Sequence, residues 1–277
     1  MPKVEVLAPF QIKGINEVDY IKNSILEVRE NFVKEINEAI EIKNNTFQAI
    51  CIFSIIDSFA QEYANYPTRG ANKTFCDFVL RFQDKYDYLD KVEPITLFYD
   101  YEPNIKEVIK YPELYEQFPD DFPPELEICI DDIQYIDEEP VKKILKYGKS
   151  EALLDLIEKN EGEKGRNRYA EKHKIINLIY KMRSKLVHEL GRLGRENKWE
   201  IEEGKAEPFY RAKSRMYEKN EFVVSDDVYE LIIPNKFLYD LAVNCINNYL
   251  NFCEKENRLP FENNSNFQRS VDITWND

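Results

Sequence analysis

Glycine is scarce, with eight in 277 residues, and so are methionine (three) and tryptophan (two). So few glycines exclude a turn-rich β fold, while a charged fraction of 32% suits helices. No C-x-x-C pair occurs among Cys51, Cys76, Cys129, Cys245 and Cys253. Their odd number and wide scatter exclude a disulfide framework and give no zinc-site spacing. A reducing compartment is expected, with the thiols packed as small hydrophobes and no metal or cofactor bound. No segment approaches eighteen apolar residues, and MPKVEVLAPFQIKG lacks the long apolar run of a signal peptide. The expectation is a cytoplasmic protein with no membrane partner. Histidine is rarer still: His173 and His188 are the only two.

What is present is globular material, 43% hydrophobic and 13% aromatic, in a chain long enough to bury a core without staples. The net charge of −14 opposes nucleic-acid binding only on average. Residues 164–198 hold eleven Lys and Arg against three Glu, a local +8 that leaves −22 elsewhere. A basic strip on an acidic body contacts phosphate locally; the bland alternative is a solvated helix face with intrachain partners.

Helical spacing is clear at 17–43 (Ile21, Ile25, Val28, Phe32, Ile36, Ile40), with Asn16 as N-cap. Residues 46–65 are apolar nearly all round and predict a central buried helix, and 72–82 begin another. From 84 to 163 prolines and acids break the pattern into short helices near 94–101, 104–117 and 141–158, elaborating the fold without a core of their own. EKNEGEKGRNR reads as a loop. A long helix is expected over 167–193, strands at WEIEEG and FVVSDDVYELIIP, and a periodic helix from 235 to 256. The fold class is therefore mainly α, a helical bundle with an irregular helical insertion and a small β-hairpin or sheet addition. One domain spans 1–277: bundle core about 17–82 and 165–256, insertion about 84–163, tail 257–277.

Within YKMRSKLVHELGRLG, Arg183 precedes His188 by five residues on a locally basic helix. Upstream, CIFSIIDSFAQEY studs an apolar helix with Ser54, Asp57 and Ser58. A lone buried carboxylate is costly, and Arg183 is the natural partner for Asp57. The serines have the option of bonding back to the preceding turn. His173, about 15 Å along the same helix from Arg183, reads as surface. Arg183 and His188 stand about 140° apart on an ideal helix, so one helix makes no compact dyad.

The R-x4-H stretch followed by Glu189 and a glycine, with the polar-studded upstream helix, resembles the HEPN-domain family. The likeness covers about half the chain, 17–82 and 165–256. It implies a HEPN-like bundle and a metal-independent endoribonuclease of toxin–antitoxin or anti-phage defence systems, with RNA as substrate. It also implies a homodimer through the Arg183/His188 helix and an antitoxin or defence-system partner protein. His188 would move protons at the 2′- or 5′-oxygen and Arg183 would stabilise phosphoryl charge, leaving a 2′,3′-cyclic phosphate. Asp57 would orient, with Ser54, Ser184 and Lys185 supporting. A tyrosine found two residues past the histidine in the subset paired with nucleotidyltransferase antitoxins is Leu190 here, which departs from that type of control. The rivals are a non-catalytic HEPN-like RNA- or protein-binding scaffold, and an acidic module using residues 113–139 to bind a basic partner.

Overall fold

Asparagine side chains start the first two helices. Asn16 accepts from the Val18 amide (3.3 Å) ahead of α1, Glu17–Ile40, and Asn44 from the Phe47 amide (3.0 Å) ahead of α2, Asn45–Tyr63. The computed structural model describes residues 16–64, 70–98, 100–101, 140–145, 149–188, 205–219 and 222–261. The remaining elements are α3 (Ala71–Phe82), α4 (Val141–Ile144), α5 (Lys149–Lys172), α6 (Ile175–His188), β1 (Phe209–Lys219), β2 (Phe222–Ile232) and α7 (Asn235–Lys255), with residues 94–98 and 100–101 also helical. The protein is mainly α with a small antiparallel β addition. The expected helix at 104–117, the WEIEEG strand and the tail beyond 261 lie outside the described residues.

The core forms where the apolar stripes meet. Ile21, Ile25, Phe32 and Ile36 of α1 and Ile52, Phe53, Ile56 and Phe59 of α2 pack with Phe75, Phe78 and Val79 of α3. α7 packs against all three helices. Its Leu238, Leu241, Ala242, Cys245, Ile246, Tyr249 and Leu250 are completely buried, each large apolar side chain contributing about 1.5–3 kcal/mol. α2 is less central than its composition predicts. One strip of it faces outward, with Phe47 51% exposed and Ser54 and Ser58 exposed beside it.

The insertion carries more order than expected. Leu97, Phe98, Tyr101, Leu153, Leu154 and Ile157 form a second, smaller buried cluster flanked by Val92 and Tyr169. The stretch that reads as a loop is helical, broken within α5 at Gly162, whose φ of 74° a side chain would strain.

The long helix expected over 167–193 is two elements. The Glu93 amide takes the His173 carbonyl (2.8 Å), while the Ile175 and Ile176 amides donate to Lys91 and Leu89 carbonyls (3.0 and 2.9 Å). Those exchanges, with a bridge between Val92 and Lys174, divert the His173 carbonyl and the Ile175 and Ile176 amides from helical bonding, while the His173 amide still donates to the Tyr169 carbonyl (3.1 Å). α6 then restarts from Lys174, whose carbonyl accepts from Leu178 (3.0 Å). Beyond His188 the expected helix passes outside the described residues.

β1 and β2 form one ribbon in continuous register from Phe209↔Ile232 to Lys219↔Phe222. β1 has no counterpart among the expected strands. Its root is fixed: the Val141 amide donates to the Pro208 carbonyl (2.9 Å), and Phe209, Tyr210, Leu231 and Ile232 are buried. No described helix is long and apolar enough to cross a membrane.

Candidate functional site

α6 packs between α2 and α3, which places Arg183 over the inner side of α2. Its Nε donates to Asp57 Oδ2 at 2.6 Å, and its second terminal nitrogen, Nη2, sits 2.5 Å from the same oxygen. The Tyr180 ring lies 5.7 Å beneath the guanidinium and is itself 5.5 Å from Phe75. Asp57 is only 7% exposed. Burial pushes its carboxyl above the ordinary value, with the Arg183 charge and hydrogen bond acting the other way. Neither contact uses Nη1, so the guanidinium is held in place with donors left over.

The other residues that the sequence singles out divide. Ser184 and Lys185 follow on α6 and are partly exposed. Ser54 is not drawn into the Asp57–Arg183 contact: its hydroxyl donates to the Ile50 carbonyl (2.8 Å), as Ser58 does to Ser54 (2.9 Å). Both serines follow the back-bonding alternative. His188 is the last described residue of α6, and its side chain lies outside the described part of the structure.

His173 is a correction: it is not a surface residue. It is 3% exposed, with Nε2 3.0 Å from Asp100 Oδ2 and Nδ1 3.2 Å from Thr96 Oγ1. A carboxylate only accepts, so Nε2 carries the proton towards Asp100 and Nδ1 accepts from the Thr96 hydroxyl. Burial lowers the imidazole pKa, opposed by Asp100. Lys172 Nζ shares the same Asp100 oxygen at 2.7 Å. Beside this group Glu93 is wholly buried: its Oε1 accepts from the Ile95 amide (2.8 Å) and the Tyr210 hydroxyl, its Oε2 from the Thr96 amide (2.6 Å). The Glu93 carboxylate beside the Thr96 amide would repel a developing oxyanion, so the Asp100–His173–Thr96 series reads as a structural joint.

Much of the basic strip is occupied from within the chain. Arg166 meets Glu151 (2.7 Å), Asp155 and Glu158 (3.5 Å), and Arg168 meets Glu161 (2.6 Å). Lys174 meets Asp90 (2.9 Å) and Glu171 (3.0 Å). Compared with family models, curated proteins and solved structures, the chain matches none of them. The function therefore rests on the residues themselves. The arrangement provides a cation, Arg183, fixed by a buried carboxylate and partly exposed on α6, suited to meeting phosphoryl charge.

Proposed function

We propose that the protein is a metal-independent endoribonuclease of HEPN type, acting in a toxin–antitoxin or anti-phage setting. The observation that carries the reading is the Asp57-held guanidinium of Arg183, five residues before His188 on α6. In the proposed reaction the RNA 2′-hydroxyl attacks the adjacent phosphorus and the bond to the 5′-oxygen breaks. A 2′,3′-cyclic phosphate and a 5′-hydroxyl result. Arg183 meets the charge on the phosphoryl oxygens through donors not spent on Asp57. His188 moves the proton, and Asp57 fixes the guanidinium. Five helical positions separate Arg183 and His188 by about 7.5 Å along the axis and about 140° around it, so a second copy across a cleft completes the site.

The test is digestion of a mixed RNA pool in EDTA by the wild type, Arg183→Ala and His188→Ala. Loss of a positioned acid/base lowers the rate on the order of 10²–10⁴-fold. Equal residual cleavage by all three proteins sinks the assignment, and RNA binding without shortening turns it towards the non-catalytic scaffold.

A further inference from the structure

The outer face of α2 carries no charge. From Asn44 to Gln61 the sequence holds one charged residue, Asp57, where 18 residues at the chain's 32% would hold about six. Asp57 is buried and bound to Arg183, so its charge does not reach that face. The face is nevertheless open. Phe47 is 51% exposed, Ser54, Ser58 and Gln61 are exposed, and Cys51 is partly so. These five follow one another by four, three, four and three residues, which sets them within about 40° of one line along the helix. That alternation is the seam spacing of two helices packed side by side. Ile50 and Ile55 stand partly buried on its shoulders. The exposed apolar residues of α1 differ, because Leu26, Val33 and Ile40 are interspersed with Glu30, Lys34 and Glu38.

Covering this strip strands few polar groups. The Ser54 and Ser58 hydroxyls already donate to the Ile50 and Ser54 carbonyls (2.8 and 2.9 Å). Its centre is small, which lets a second backbone come close, and Phe47 at one end is bulky. Asp57 and Phe59 lie about 100° to either side of Ser58 and mark the two flanks. α6 borders one through the Arg183–Asp57 contact, and α1 the other, its Phe32 ring 5.9 Å from Phe59.

We propose that a second copy of the chain packs on this face, α2 against its twin, antiparallel about Ser54. The orientation rests on the reading of a shared RNA site: a two-fold axis running across α2 sets each α6 beside the other. Small residues then meet small ones at the centre, and each Phe47 covers the far end of the strip, which Gln61 closes. Asp57 is three residues from Ser54, so the two Asp57–Arg183 pairs stand about 9 Å apart along the paired helices. A chain of net charge −14 repels its own copies, and an uncharged face is where they can touch. The same face gives a charged ligand nothing to hold, and depletion of charge marks the centre of protein contacts.

The experiment is sedimentation equilibrium of the full chain across micromolar concentrations. The wild type should reach twice 33.0 kDa. Ser54→Lys and Ser54→Glu should each weaken self-association about tenfold or more, because like charges then meet at the axis. Mixed in equal amounts, the two should pair with each other, which also shows that both are folded. Phe47→Ser should weaken the dimer as well, and Val33→Ser on α1 should leave it unchanged. A wild type that stays at 33.0 kDa overturns the proposal. So does a Ser54→Lys variant that dimerises like its parent, a mixture of the two charged variants that stays monomeric, or a dimer lost through Val33→Ser. A dimer held through α2 that never cuts RNA leaves this inference standing and removes the nuclease reading. RNA cleavage by a strictly monomeric protein does the reverse.

Discussion

Asp57 and Arg183 are close to inseparable in energetic terms. Removing one partner of a buried pair costs about 3–5 kcal/mol, and partial exposure of this one brings Arg183→Ala nearer 2 kcal/mol. Asp57 has a folded-state pKa above its ordinary 3.8. Its site therefore favours the fold while protonated, and that contribution is lost as pH rises through the raised value. Arg183→Ala should accordingly lose more stability at pH 7 than at pH 4, read as urea midpoints at the two values. A loss that grows on acidification contradicts the assignment. His173 runs the other way. Its folded pKa lies below 6.5, so its contribution is full above about pH 6.5 and lost as pH falls through the folded value. The stability gap between wild type and His173→Gln should narrow from pH 7 to pH 5 in thermal melts. The Asp57–Arg183 contact was legible in the sequence because an acid in an apolar helix demands a partner. The His173 site was not. Its partners Thr96 and Asp100 lie 77 and 73 positions away, and helical periodicity does not say which polar face another segment will cover.

At the scale of elements, the spans of α1, α2, α3 and α7 were legible to within a few residues, since their buried positions recur at helical spacing. The break at His173 and Lys174 was hidden. Every residue there tolerates a helix, and the cause is a distant strand-like segment that competes for its backbone groups. β1 was hidden too, because YRAKSRMYEK alternates charged with small residues and has few of the branched side chains that mark strands. Gly162 is a test at this scale. Gly162→Ala meets no neighbour within 4 Å yet forces a side chain into positive φ, so it should cost about 1–2 kcal/mol. A gain in stability on substitution would show that α5 runs straight in solution.

For the molecule as a whole, the mainly α class with a small β addition follows from composition and period, whereas the second buried cluster does not. Its members come from two stretches more than fifty residues apart, which no local pattern connects. The proposed composite site makes a prediction here. Neither Arg183→Ala nor His188→Ala should cut RNA alone, but an unfolded-and-refolded mixture of the two should recover part of the wild-type rate. Such mixed dimers retain one guanidinium and one imidazole. A mixture as inactive as its parents, or a wild type of strictly monomeric mass, removes the shared-site mechanism.

The helix with the deepest burial, α7, is also the last of the described helices in chain order. During synthesis α1, α2 and α3 emerge with the apolar surfaces that await it uncovered. The bundle therefore cannot close while the ribosome is still translating the codons for Asn235–Lys255, and a stalled or shortened transcript leaves an open, sticky intermediate for chaperones or proteases to clear.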